Sequence, residues 1–211
     1  MNDINYRLKI TSNSDAEYLL QLPLADVKAH LRVSWTSEDS YITTLIRSAY
    51  NIAEGYTNLS LIPKTHEMFL DRFPNSYDGS KEDEWLDLVN SCGGLSITSI
   101  KYYDADNTQV TWNSTNYDVD EPGITWGRVY PKVDKVFPST ADRPQAVEVK
   151  YDTGFDNATA GDVLPDAIRA AILILIGNLY ENRQDNIVGR IASELPMTAK
   201  VLLDPYRMVL T

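Results

Sequence analysis

The stretch LPDAIRAAILILIGNLYENR, residues 164–183, decides how the rest of the chain is read. Leu164-Pro165-Asp166 is a helix start, because proline at the first helical position gives up an N–H that would have had no intrahelical partner. At about 100° per residue, Ile168, Ala171, Ile172, Leu175, Ile176 and Leu179 gather on one side as a core face. Each large aliphatic buried there contributes roughly 1.5–3 kcal/mol. The other side is not polar. Ala170, Leu173, Ile174 and Gly177 stand at i, i+3, i+4 and i+7, a second apolar stripe whose two small residues let another backbone come close. Such a stripe has to be covered, either from within the chain by the strand-rich middle or the N-terminal helices, or by a neighbouring copy.

Outward from this helix the chain reads as helical ends around a strand-rich middle, with the changes near Pro63 and near residues 156–161. One strand fits residues 6–10. Leu22-Pro23-Leu24 leads into a brief helix over 25–31. A longer one follows, capped at Thr36 or Ser37, with Glu38 and Asp39 placed in its first turn by the helix dipole. Its apolar side is Tyr41, Ile42, Leu45, Ile46, Ala49, Ile52, Ala53 and Tyr56. Between residues 64 and 152 the period drops to two, most clearly where Val147, Val149 and Tyr151 alternate with Glu148, Lys150 and Asp152. Thr108, Val110 and Trp112 repeat the pattern after the turn Asp104-Ala105-Asp106-Asn107. Five to seven short strands are expected there. Residues 78–87 are expected to form an acidic, exposed and mobile loop. After a polar connection over 184–193, a last short helix spans 197–203 and ends near Asp204-Pro205. The expected class is α+β: a bundle of about four helices from residues 1–63 and 157–211, with an antiparallel β subdomain inserted over 64–156.

The 211 residues are 43% hydrophobic and 23% charged, enough for a buried core, which excludes disorder, collagen and coiled coil. A formal charge of −11 argues against a general grip on nucleic acid. Cys92 is alone and MNDINYRLKI lacks the pattern of a secretion signal, so a reducing cytoplasm is the expected site of synthesis. The longest apolar run, residues 170–176, is far short of the roughly 20 residues of a membrane span, so no membrane association is expected.

The residues carry little chemistry. His30, His66 and Cys92 have no ligand-like spacing, and Cys92 before Gly93-Gly94 lacks a base and a positive environment. Asp104-x-Asp106 starts like a calcium loop but has Gln109 where glycine is required and Thr115 where a bidentate glutamate belongs. No phosphate-binding glycine loop or hydrolase elbow is present. Glu82 and Asp87 could be drawn as an acid and base pair, although a solvated acidic loop accounts for them. No catalytic residue, metal or cofactor is therefore expected. Thirteen tyrosines and four tryptophans suit strands and protein contacts alike, and Asn182 and Arg183 after Tyr180 form a candidate polar interface cluster.

LPLADVKAHLRV (22–33), the Ser-Glu-Asp start at Ser37, AEGYTNLSLI (53–62), LPDAIRAAILILIGNLYENR and ELPMTAKVLLDPYR (194–207) resemble, in order and spacing, the tailed-phage head-tail connector (adaptor) family. SITSIKYYDADN (96–107) and AVEVKYDTGF (146–155) resemble the strand insert of its larger members. Residues 75–91 are longer and more acidic than that pattern, and residues 1–20 match nothing distinctive. The resemblance implies a non-enzymatic virion protein at the head-tail junction, made in the host cytoplasm. It would form a twelve-subunit homo-oligomeric ring beneath the portal protein, extend the channel for double-stranded DNA without reading its sequence, and receive a tail or head-completion protein. In that setting Ala170, Leu173, Ile174, Gly177, Tyr180 and Arg183 are candidates for the subunit interface. Leu203, Tyr206, Arg207 and Leu210 are candidates for portal docking. Asp78, Glu82, Asp83, Glu84 and Asp87 are candidates for a channel lining that repels phosphate over the 8–10 Å or so that salt leaves unscreened. Two alternatives are another morphogenesis component, such as a tail-completion protein, and a hydrolase using acidic residues of the insert.

Overall fold

The computed structural model describes residues 6–11, 15–74, 85–120, 123, 125–156, 163–183 and 195–209. They divide into a β unit within residues 1–12 and 63–154 and a helical unit within 13–62 and 155–209.

The β unit begins with β1 (Tyr6–Thr11), β2 (Lys64–Leu70), β3 (Leu86–Asp87) and β4 (Ser96–Tyr103). It continues with β5 (Gln109–Thr111), β6 (Tyr117–Asp120), β7 (Arg128–Pro131) and β8 (Val147–Thr153). Five strands pair antiparallel in the order β1-β2-β8-β4-β5, and three more in the order β3-β7-β6. The alternation read from β8 holds: Val147, Val149, Tyr151 and Thr153 are buried while Glu148, Lys150 and Asp152 are not. The strand at residues 6–11 was grouped with the helices by chain position; its pairing with β2 over six positions puts it in the sheet instead. On the wetter face Glu67 of β2 meets Lys9 of β1 at 2.7 Å and Lys150 of β8 at 3.6 Å, so one carboxylate links three strands.

Residues of both sheets share one core. Phe73 is fully buried, stacked on Phe137 with ring centroids 5.1 Å apart, and meets Trp112 at 5.6 Å and Tyr102 at 5.9 Å. His66 is also fully buried and stacks on its cross-strand partner Tyr151 at 5.1 Å, while the Tyr151 hydroxyl donates to the Val89 carbonyl at 2.6 Å. The hairpin turn is an Asx turn, with Asp104 Oδ1 accepting from the N–H groups of Asp106 and Thr108.

The helical unit holds α1 (Asp15–Gln21), α2 (Leu24–Leu31), α3 (Asp39–Thr57), α4 (Asp166–Glu181) and α5 (Met197–Leu203). Helix α1 is the element the sequence pattern missed. Of the expected core residues of α4, Ile168, Ala171, Ile172, Leu175 and Ile176 are buried, while Leu179 in the last turn is half-buried. In α3 the buried face is turned slightly from the one expected, so that Tyr50 is fully enclosed and Ile52 is 37% exposed. The expected cap at Thr36 or Ser37 is not used: α3 starts at Asp39, with Glu38 at the cap position making no capping bond. Pro165, likewise, stands at the cap of α4 rather than at its first turn. Two ion pairs tie the bundle, Lys28–Asp39 at 2.6 Å between α2 and α3 and Arg169–Asp26 at 2.7 Å between α4 and α2.

Candidate assembly surface

The charge that α3 carries ahead of its first turn organises an exposed cluster. Glu38 pairs with Arg183 at 2.7 Å through one carboxylate oxygen and accepts from the Tyr180 hydroxyl and, at 3.4 Å, from Trp35 Nε1 through the other. The Arg183 guanidinium lies over the rings of Tyr41 at 4.7 Å and Tyr180 at 4.6 Å. The Tyr180 hydrogen bond and then Arg183 hold the Glu38 carboxyl below its ordinary range, and the same contacts raise Tyr180 and Arg183. Tyr180 and Arg183, singled out as interface candidates, are thus fastened first to their own chain. Trp35 stays 52% exposed beside them, so the cluster still presents the aromatic and arginine surface that protein contacts favour.

Along α4, Ala170, Leu173, Ile174 and Gly177 are all half-buried, neither core nor open surface. Part of their cover comes from within the chain, since a side chain added at Gly177 would stand 3.6 Å from His30 Nε2 on α2. That is ordinary contact. Gly177→Ala is accordingly expected to raise the unfolding free energy of the subunit by about 0.5–1 kcal/mol, because alanine loses less backbone freedom in a helix. Urea denaturation of the two proteins measures this, and a lower midpoint would mean that α2 cannot yield.

The C-terminal segment is also anchored. Leu203 is fully buried in the helical unit, so it holds the segment down and offers no side chain to a partner. Tyr206 is half-buried and Arg207 exposed, the latter 5.2 Å from the Tyr56 ring. Asp204 accepts from the Tyr56 hydroxyl, Met208 N–H donates to Thr57 O at 2.8 Å, and Asn58 Nδ2 donates to Met208 O at 2.8 Å. Asn58 can do this because it closes α3 in the left-handed region at φ 56°. Leu210 lies outside the described residues, as do Asp78, Glu82, Asp83 and Glu84. Asp87, expected in the acidic loop, is instead in β3 and pairs with Arg128 at 3.0 Å.

Cys92 is buried, its N–H donating to Thr153 Oγ1 at 2.8 Å and its carbonyl accepting from the same hydroxyl at 2.5 Å. This is a structural position. Among the described residues no group of three or more histidine, cysteine or acidic side chains could hold a metal ion, and no helix is long and apolar enough to cross a membrane.

Residues 21–82 match the family of phage gp6-like head-tail connector proteins. These residues cover α2, α3 and β2. The likeness to the head-tail connectors is thus carried by part of the chain. No curated protein matches the chain in sequence. In fold, it is similar to a chain in the neck of an empty gene transfer agent particle computed with C6 symmetry, with TM-score 0.71, 19% identity and 97% of each chain covered. A chain in the neck of the native particle computed with C12 symmetry follows the same fold, with TM-score 0.68, 17% identity and 97% of each chain covered. A chain of the native particle's virion aligns with TM-score 0.69 and 19% identity over 97% of this chain and 96% of that one. The connector signature therefore sits in the helical unit and the first inner strand, while the fold likeness takes in both units.

Proposed function

We propose that this chain is a structural virion protein, a head-tail connector that closes into a ring below the portal and carries the DNA channel on toward the tail or a head-completion protein. The observation that carries the reading is that a connector-type sequence over residues 21–82 lies in a chain whose fold follows that of a particle-neck chain over 97% of both lengths. The ring has twelve subunits in the particle and sits at the head-tail junction, after synthesis in the host cytoplasm. In this reading it acts by contact and catalyses no reaction, as a virion part of connector type would.

In this ring the half-buried stripe of α4 and the Tyr180–Arg183 end of the same helix meet the neighbouring subunit. A different surface of the subunit then receives the same contact from its other neighbour, the head-to-tail arrangement that a closed ring needs. Tyr206, Arg207 and Leu210 take the portal, with Leu203 fixing the segment that carries them. The lining falls to Asp78, Glu82, Asp83 and Glu84, while the charge of Asp87 is already balanced by Arg128. Carboxylates there keep the duplex sliding because they repel its phosphates at short range.

Leu173→Glu tests the reading. The expected result is a folded subunit, judged by circular dichroism and melting, that no longer forms rings in native mass spectrometry or electron microscopy with or without portal. Rings formed as readily as by the unaltered chain would remove α4 from the interface; an unfolded subunit would make Leu173 part of the core.

A further inference from the structure

The core of the β unit runs out at β1. Among the described residues β1 is the outermost strand of its sheet, paired with β2 over six positions and with no strand on its other edge. The register sets Tyr6, Leu8 and Ile10 opposite Leu70, Met68 and His66, and cross-strand partners share one face of a sheet. The three β2 residues are buried in the core, yet Tyr6 is 39% exposed, Ile10 is 44% exposed and Leu8 is only partly covered. Two deficits meet at one place: a row of main-chain N–H and C=O groups without strand partners, and an apolar row without cover. One further strand would remedy both.

We propose that this strand is β6 of a second copy, added antiparallel to the open edge of β1. The inference rests on the ring reading and names a contact which that reading leaves open. The residues of β1 select the occupant: apolar Tyr6, Leu8 and Ile10 alternate with Arg7 and Lys9, so a matching strand alternates apolar and acidic residues. Strands β1, β5, β3 and β6 end the two sheets. A second β1 would set Arg7 and Lys9 against their own kind, β5 carries no charge, and β3 is two residues long with its Asp87 held by Arg128. In β6, Tyr117-Asp118-Val119-Asp120, the alternation is the one required, with Tyr117 and Val119 packed on the core and both aspartates exposed. Placing Leu8 opposite Val119 brings Ile10 to Tyr117, Arg7 to Asp120 and Lys9 to Asp118. Lys9 and Asp118 already have local partners in Glu67 and Lys132. Arg7 and Asp120 form no ion pair among the described residues, since Arg128, the cross-strand neighbour of Asp120, turns to Asp87 instead. Arg7 with Asp120 is thus the pair that fixes the register. The two strands are different edges of one chain, so the contact propagates from copy to copy around a ring.

The test joins Leu8→Cys and Val119→Cys in one full-length chain, oxidises it at rising concentration with and without portal, and follows the products on non-reducing gels. A ladder of disulfide-linked chains running beyond the dimer, absent from either single variant, is the expected result. Charge gives an independent readout: Arg7→Asp or Asp120→Arg alone should raise the concentration for half-assembly by about fivefold, because like charges then stand directly opposite, and the two changes together should restore it. Hydrogen exchange should slow at amides of both strands on assembly. Rings that form without the ladder and ignore the charge changes would overturn the contact and leave the ring reading intact. So would a dimer linked through Leu8→Cys alone, a disulfide within one chain, or slowed exchange in β1 but not β6 once portal is added, which would give the edge to the portal. A chain monomeric under every condition would overturn both.

Discussion

Phe73→Ala is expected to lower the stability of the β unit by about 3–5 kcal/mol, the range for truncating an enclosed phenylalanine. The upper part of that range applies because Phe73 is fully buried and touches three other rings, Phe137, Trp112 and Tyr102, each aromatic pair adding roughly 0.5–1.5 kcal/mol beyond burial. The rings around the void also hold one another, with Trp112 5.3 Å from Phe137 and 5.0 Å from Tyr117, so collapse into the gap would tear further contacts. Urea denaturation followed by tryptophan fluorescence measures the loss, and Phe73→Leu should recover more than half of it. A cost below about 1 kcal/mol would mean that the cluster repacks freely and is not the centre of the core.

Mild acid is the second strong lever. Burial, and then the nearby charge of Lys64, hold the His66 imidazole neutral and bring its pKa down from 6.5 to about 4. The unfolded chain binds a proton near pH 6.5 that the folded chain refuses until about 4. Stability contributed by the neutral ring is therefore complete above pH 6.5 and is lost as pH falls toward 4, by about 2–3 kcal/mol at pH 4.5. Glu38 and Glu67, whose carboxyls are held low by their hydrogen bonds and cations, act the other way round: their contribution is present above the ordinary carboxylate value of 4.5 and is lost below it. The window from 6.5 to 4.5 thus isolates His66. His66→Phe keeps the ring stacked on Tyr151 and should flatten the fall in urea midpoint across that window. An equally steep fall in the variant would assign the acid sensitivity elsewhere.

How far the chain could be read in advance depended on whether one periodicity acted alone. In α4 and β8 a single period sets each side chain's burial, and the core residues named from spacing are the buried ones save Leu179, half-buried in the last turn of α4. Helix α1 was missed because DAEYLLQ is barely two turns long, although Ser14 and Glu17 stand at capping-box spacing ahead of Tyr18-Leu19-Leu20. Glu38 was read through the helix dipole, a local effect, yet its partners Tyr180 and Arg183 come from a helix about 140 residues later. Asp87 fell inside an acidic run and looked solvated until β7 supplied Arg128 across the strand. Tyr50 lay one step off the expected stripe of α3, and α1 completes its enclosure through Tyr18, edge-on at 5.5 Å. The exposure of Val133, at 90%, and Val136, at 80%, had no signature, since valine in KVDKVF reads as another strand residue and only the turn at Asp134 reveals that it faces outward.

Strand β8 lies between β2 and β4 in the sheet although β1 to β7 all precede it in the chain. While the protein is being synthesised, the first two strands and the later ones have nothing to join them until residues 147–153 leave the ribosome. The helices face the same delay, because α3 waits for α4 and α5. Neither unit can be finished early, so a prematurely terminated product lacks both completed surfaces.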